Sequence, residues 1–190
     1  MSGFQDIQIR PIIVQHGLAN FIETGCHTGD GLVWARHNGL LNLYSCDIMQ
    51  NYVNMCKQKI PTASIFLQDS ATFLTTVLPF VNDPCLFWLD AHLGHIFYGS
   101  PITDKDINFP LVTELDIIRK KENVKKDVII IDDTRIIRST DNETYEEGLD
   151  ERYYMDNLTI QQIRDWFPNH DVKLIKFQQG LCVLFPKQPN

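Results

Sequence analysis

Apolar residues along the chain fall into short runs that alternate with segments of helical periodicity. Each run is bounded by turn residues, and several are apolar throughout, which is typical of strands buried on both faces. The predicted strands are residues 19–25, 41–47, 63–69, 85–90, 127–131, 172–177 and 181–185. The predicted helices are residues 31–37, 49–59, 71–78, 110–121 and 159–167. This pattern predicts five strands, each followed by a helix, and two final strands.

The order of these elements predicts the type of sheet. Repeated strand–helix units place parallel strands side by side with helices on both faces. The last two strands are separated only by residues 178–180, so they must form an antiparallel hairpin. The sequence therefore predicts an α/β protein with a mostly parallel sheet.

Two long segments, residues 93–109 and 134–157, match neither strand nor helix. Each follows a predicted strand, and connections this long in a compact domain are usually functional. Ligands of open α/β sheets bind at the carboxyl ends of the strands. We expect these segments to form the walls of an active site.

Composition narrows the function classes. A chain of 190 residues fits a single domain, residues 1–190, and its net charge of −7 disfavours nucleic-acid binding. No signal peptide or membrane-spanning run is found, so a cytoplasmic location without membrane attachment is expected. The five cysteines include no C-x-x-C pair, which argues against a disulfide scaffold and a zinc site.

The strongest local motif is the glycine-rich string E-T-G-C-H-T-G-D-G at residues 23–31, where a strand passes into a helix. Glycines allow a tight turn and close approach of a ligand to the backbone. Asp47, Asp69 and Asp90 end the next three strands, and a carboxylate after the second strand can bind ribose hydroxyls. A plain tight turn and helix caps are the alternative interpretations. Together these features favour a nucleoside-containing cofactor.

These motifs resemble those of the class I S-adenosylmethionine-dependent methyltransferases, over nearly the whole chain. The resemblance implies a Rossmann-like sheet of seven strands in the order 3-2-1-4-5-7-6 that ends in the antiparallel hairpin. It also implies that the glycine-rich turn contacts the methionine part of the cofactor, that Asp47 holds the ribose, and that the third strand end contacts the adenine. The implied cofactor-binding residues are Glu23, Thr24, Gly25, Thr28, Gly29, Asp47, Ile48, Asp69, Ser70 and Asp90.

Three acids, Asp90, Asp132 and Asp133, follow the fourth and fifth strands, which should be neighbours in this fold. Carboxylates at close range repel one another unless a cation or shared proton intervenes, and oxygen ligands suit Mg²⁺ or Mn²⁺. The arrangement resembles metal-dependent O-methyltransferases of the catechol and macrocin types. That resemblance implies that the three acids are metal ligands. The alternative is that Asp132 or Asp133 only caps a turn.

The candidate catalytic residues are Asp90, His92 and His95. A histidine with a pKa near neutrality can remove a proton from a hydroxyl. Catechol-type enzymes have a lysine three residues after their acid, where this chain has Leu93, so the base is not defined by resemblance. A structural loop histidine is the alternative.

The resemblance implies transfer of a methyl group from S-adenosylmethionine to a hydroxyl of a sugar or other glycan, with a divalent metal. The alternatives are a metal-independent methyltransferase of small molecules and an inactive cofactor-binding module. No helix is predicted before residue 19, which is consistent with a domain excised from a larger enzyme.

Overall fold

The computed structural model describes residues 8–92, 109–137, 155, 158–175 and 180–188. The strands are β1 (Asn20–Thr24), β2 (Asn42–Asp47), β3 (Ser64–Leu67), β4 (Cys85–Leu89), β5 (Val128–Ile131), β6 (His170–Ile175) and β7 (Leu181–Pro186). The α-helices are α1 (Ile9–His16), α2 (Asp30–His37), α3 (Gln50–Lys59), α4 (Ser70–Val77), α5 (Leu111–Ile118) and α6 (Ile160–Trp166).

All seven strands belong to one sheet in the order β3-β2-β1-β4-β5-β7-β6. Strands β1 to β5 pair in parallel, whereas β7 lies antiparallel to both β5 and β6. The alternation of elements and the hairpin predicted a mostly parallel sheet, and the resemblance to methyltransferases implied this strand order. The fold class is confirmed. The carboxyl ends of β1, β2, β4 and β5 consequently meet at one edge.

Both faces of the sheet are covered, which explains why β4 and β5 are apolar and fully buried. Helices α4, α5 and α6 pack on one face through residues such as Phe73, Leu115 and Ile163. Helices α1, α2 and α3 cover the other face. The helices thereby fix the strand ends that carry the acids.

Helix α1 was not predicted. Its Ile9 and Ile13 are buried against the second face, and Gly17 ends it in the left-handed conformation. Pro11 lies within the first turn, where backbone N–H groups have no partner inside the helix, so proline does not break it. The expectation that no helix precedes residue 19 is therefore wrong.

Large parts of the two predicted active-site walls, and with them His95, lie outside the described residues. Within the described ranges, no helix combines the length and apolar character that crossing a membrane requires.

Candidate functional site

The glycine-rich turn between β1 and α2 brings the backbone against the end of β4. Gly25 has φ of +82°, and a Cβ on it would stand 2.6 Å from the carbonyl oxygen of Asp90. Gly29, with φ of +78°, leads into α2. Both positions favour glycine because φ is positive, and Gly25 also leaves no room for a side chain.

Asp47, the last residue of β2, faces this turn. Its Oδ2 accepts a hydrogen bond from the backbone N–H of His27 at 3.0 Å, and its Oδ1 accepts one from the N–H of Met49 at 2.8 Å. These bonds fix the carboxylate and leave each oxygen with acceptor capacity. Burial raises the pKa of Asp47, although the two backbone bonds oppose that effect. Ile48 beside it is partly exposed. The carboxylate of Asp47, which is predicted to bind the ribose, is thus oriented by the protein backbone.

Glu23 lies beneath the turn and is 2% exposed. Its Oε2 accepts a hydrogen bond from the Ser45 hydroxyl at 2.8 Å. Burial, together with the nearby charges of Asp47 and Asp30, raises its pKa well above the ordinary value. Burial therefore favours the protonated form of Glu23, next to the Ser45 hydroxyl.

A lysine on α3 holds the far side of the turn. The Nζ of Lys59 donates to the carbonyl of Thr28 at 3.0 Å and to the carboxylate of Asp30 at 2.6 Å. The Thr28 hydroxyl in turn donates to Asp30 at 2.8 Å. The predicted cofactor residue Thr28 thus has its side chain engaged within the turn.

The end of β3 carries a helix cap. The carboxylate of Asp69 accepts the backbone N–H of Thr72 at 2.9 Å and the Thr72 hydroxyl at 2.6 Å. This is the capping role that was the alternative interpretation of Asp69. The next residue, Ser70, is buried and faces the carboxyl group of Glu114 on α5. Burial raises the pKa of Glu114 to about 7, although the hydroxyls of Ser70 and Thr24 lower it.

Asp90 and His92 follow β4 next to the glycine-rich turn. The N–H of Asp90 donates to the carbonyl of Thr24, and the Oδ1 of Asp90 is 3.9 Å from Nε2 of His92. Burial and the negative charges of Asp132 and Glu23 raise the pKa of Asp90. The imidazole of His92 is nearly inaccessible, and burial lowers its pKa, so the ring is neutral at neutral pH. A neutral imidazole next to a carboxylate can accept a proton.

Asp132 and Asp133 follow β5, as predicted, and their charges reach Asp90. Asp132 accepts the N–H of Asp133 at 2.8 Å. The Oδ1 of Asp133 accepts from Nε of Arg135 at 2.5 Å, and its Oδ2 accepts from Nη2 of the same guanidinium at 3.3 Å. Among the described residues, no three His, Cys, Asp or Glu side chains are placed to hold a metal ion. The acids do lie near one another, but they do not fit Mg²⁺ or Mn²⁺, and the predicted metal site is not confirmed.

Sequence reasoning identified the turn and the acids but missed three supporting side chains: Lys59, Glu114 and Arg135. Glu114 lies in a segment that was interpreted only as a helix, and Arg135 follows the two acids that were interpreted as metal ligands. The position of Arg135, two residues beyond Asp133, was the only indication in the sequence of a counter-ion for Asp133.

No protein-family model and no curated protein sequence matches this chain. Many solved structures share its fold. A methyltransferase from Podospora anserina, bound to S-adenosylhomocysteine, has a TM-score of 0.57 at 12% identity, over 95% of this chain and 76% of that chain. An O-methyltransferase from Bacillus cereus, also bound to S-adenosylhomocysteine, has a TM-score of 0.56 at 14% identity, over 97% of this chain and 82% of that chain.

A candidate caffeoyl-CoA O-methyltransferase from Staphylococcus aureus has a TM-score of 0.57 at 12% identity and covers 94% of this chain and 81% of its own. At such low identity the similarity concerns the fold. The chain has the Rossmann-like fold of S-adenosylmethionine-dependent methyltransferases.

Proposed function

We propose that this protein is an S-adenosylmethionine-dependent O-methyltransferase. The observation that carries the proposal is the fixed Asp47 carboxylate opposite a glycine-rich turn, at the carboxyl edge of a sheet with methyltransferase strand order. Ligands of α/β sheets bind at this edge, and an acid after the second strand suits the ribose of a nucleoside. Similar folds that contain S-adenosylhomocysteine add support.

Residues of the glycine-rich turn and of the strand ends beside it would each bind a different part of the cofactor. Asp47 would accept the ribose hydroxyls, with Ile48 beside the adenine and Ser70 close by. The turn from Gly25 to Gly29 would lie along the methionine part. The cofactor, when bound, would supply a methyl group already activated by its sulfonium.

The protein must then position and deprotonate the acceptor hydroxyl. His92 is the proposed base because its imidazole is neutral and lies beside Asp90. The Asp90 carboxyl group, 3.9 Å from Nε2 of His92, would help to position the ring. His95, outside the described residues, stays a sequence-based candidate.

A sugar or other glycan as the acceptor is our proposal from the sequence resemblance alone. The single domain over residues 1–190 and the cytoplasmic location likewise stay predictions. Metal dependence is not carried into the proposal, because Asp133 is engaged by Arg135 and the three acids do not form a metal site.

The first experiment is calorimetric titration of the protein with S-adenosylhomocysteine. Asp47→Asn should weaken binding by about tenfold or more, because hydrogen bonds to a charged acceptor contribute roughly 1.5–3 kcal/mol. Asp83→Asn is the matched control, because Asp83 is exposed at the opposite end of β4, and it should bind like the wild type. His92→Asn should keep the affinity and, in an acceptor screen that follows release of S-adenosylhomocysteine, lower turnover by about 10² or more.

Absence of binding by the wild-type protein would contradict the proposal and favour a cofactor-free module. Equal affinity of the Asp47 and Asp83 variants would remove Asp47 from the proposed cofactor site.

A further inference from the structure

The acidic cluster after β4 and β5, defined as Asp90, Asp132 and Asp133, has a guanidinium bound to one of its members. Arg135 binds Asp133 through two N–H groups, and the side chains are 13% and 9% exposed. A two-pronged contact of this kind is geometrically specific and stronger than a single neutral hydrogen bond. The ion pair is therefore a fixed part of the site.

The local backbone holds the pair in place. Asp133 adopts the left-handed conformation, with φ of 54° and ψ of 46°, which aspartate tolerates better than most residues. A 3₁₀ turn, Thr134–Ile136, follows at once and returns Arg135 toward Asp133. The N–H of Thr134 donates to the carbonyl of Gly180, and the carbonyl of Ile136 accepts the N–H of Met155. The turn is thus anchored from two sides.

Electrostatics explains what the guanidinium does there. Besides burial, the negative charges of both acids after β5 raise the pKa of Asp90, whereas the positive charge of Arg135 acts on the pKa of Asp132 in the opposite direction. A divalent ion bound to Asp133 would lie close to the positive charge of Arg135 and would compete with its N–H groups for the carboxylate oxygens.

We propose that Arg135 takes the place of the divalent cation in this site and that it is a positioning residue which keeps Asp133 beside Asp90 without a metal. The part of this inference that concerns methyl transfer rests on the proposed function, whereas the replacement of the metal does not. Arg135 acts through Asp133, and the cluster serves a metal-independent reaction.

The test is Mn²⁺ binding, measured by electron paramagnetic resonance on the wild-type protein and on Arg135→Ala. The wild type should bind no stoichiometric Mn²⁺ up to about 1 mM, the affinity range of the weakest carboxylate sites. Arg135→Ala frees Asp133 and should bind Mn²⁺ about tenfold more tightly or better, because a competing positive charge has been removed. Arg135→Ala combined with Asp133→Asn should lose that gain.

Arg119→Ala is the matched control, since Arg119 pairs with Asp116 on a surface away from the cluster. It should leave Mn²⁺ binding unchanged. Arg135→Gln, which keeps most of the side-chain volume, should also bind Mn²⁺ more tightly than the wild type. It replaces Arg135→Ala in the test if that variant does not fold. A residue that only stabilised the turn would give no such gain.

Stoichiometric binding of Mn²⁺ by the wild type, or no gain in either Arg135 variant, would overturn the inference. Titration with S-adenosylhomocysteine in EDTA is run in parallel. Its failure would concern the proposed function, and the Mn²⁺ result would stand independently.

Discussion

Glu114 shows how one buried carboxyl group makes the stability of the fold depend on pH. It is fully buried on α5, and burial raises its pKa from an ordinary 4.5 to about 7. Between these two values the folded protein retains a proton at Glu114 that the unfolded chain has released. The stability contributed by this proton is complete below pH 4.5 and is lost as pH rises through 7.

Glu114→Gln should therefore gain stability, relative to the wild type, at alkaline pH. We expect the difference in free energy of unfolding between variant and wild type to increase by about 2–3 kcal/mol from pH 5 to pH 8. Urea unfolding at the two pH values measures it. Glu122→Gln removes an exposed carboxylate and should show little change. A difference that is independent of pH would show that Glu114 is ionised in the folded state at pH 5.

Helix α6 shows that local sequence can fix the start of an element. The Thr159 hydroxyl accepts the N–H of Gln162 at 3.1 Å, and the Gln162 side chain accepts the N–H of Thr159 at 2.8 Å. This capping box satisfies two backbone donors that would otherwise lack partners. The sequence placed the helix at residues 159–167, and the structure makes Thr159 its N-cap.

Thr159→Ala should lower the free energy of unfolding by about 1 kcal/mol, the usual cost of a lost N-cap. Thr159→Ser keeps the accepting oxygen and should stay within about 0.5 kcal/mol of the wild type. Chemical denaturation of the three proteins measures both effects. Equal losses for alanine and serine would point to the threonine methyl group instead of the cap.

At the scale of the whole molecule, a buried ion pair lies at the edge of the sheet opposite the proposed cofactor site. Lys121 and Asp127 are 4% and 0% exposed, and their charged atoms are 3.0 Å apart. Asp127 also accepts the N–H of Cys85 at 2.8 Å, and its carbonyl lies 3.0 Å from Nε2 of His170. The pair therefore links the first residues of β4, β5 and β6.

Lys121→Met should destabilise the fold by about 3–5 kcal/mol, because it leaves Asp127 buried without its counter-ion. Lys120→Met is the matched control, since the neighbouring lysine is 65% exposed and pairs with Asp116, and it should cost no more than about 1 kcal/mol. Thermal or urea unfolding compares the two variants. At temperatures where the Lys121 variant is folded, its affinity for S-adenosylhomocysteine should match that of the wild type. A weaker affinity would mean that the two edges of the sheet are coupled.

The sequence by itself determined the type of sheet and the position of the acids at strand ends, whereas the strand order was implied by the resemblance to methyltransferases. The apolar runs and the short connection before β7 defined a mostly parallel sheet with a final hairpin, and residues at strand ends, such as Asp47, necessarily meet at one edge. These inferences hold because strand patterns and connection lengths are local properties. Helix α1 escaped prediction because the burial of its Ile9 and Ile13 depends on a sheet face formed by distant residues.

Only the tertiary structure showed which side chain pairs with Asp133. The sequence predicted that Asp90, Asp132 and Asp133 lie close together and that a cation or a shared proton relieves their repulsion. The structure places the charges of Asp132 and Asp133 within reach of Asp90. Arg135 supplies a positive charge to Asp133 because the left-handed conformation of Asp133 and the hydrogen bond to Gly180 turn the chain back on itself. The reach of a long side chain depends on such backbone geometry, and spacing along the sequence does not reveal it.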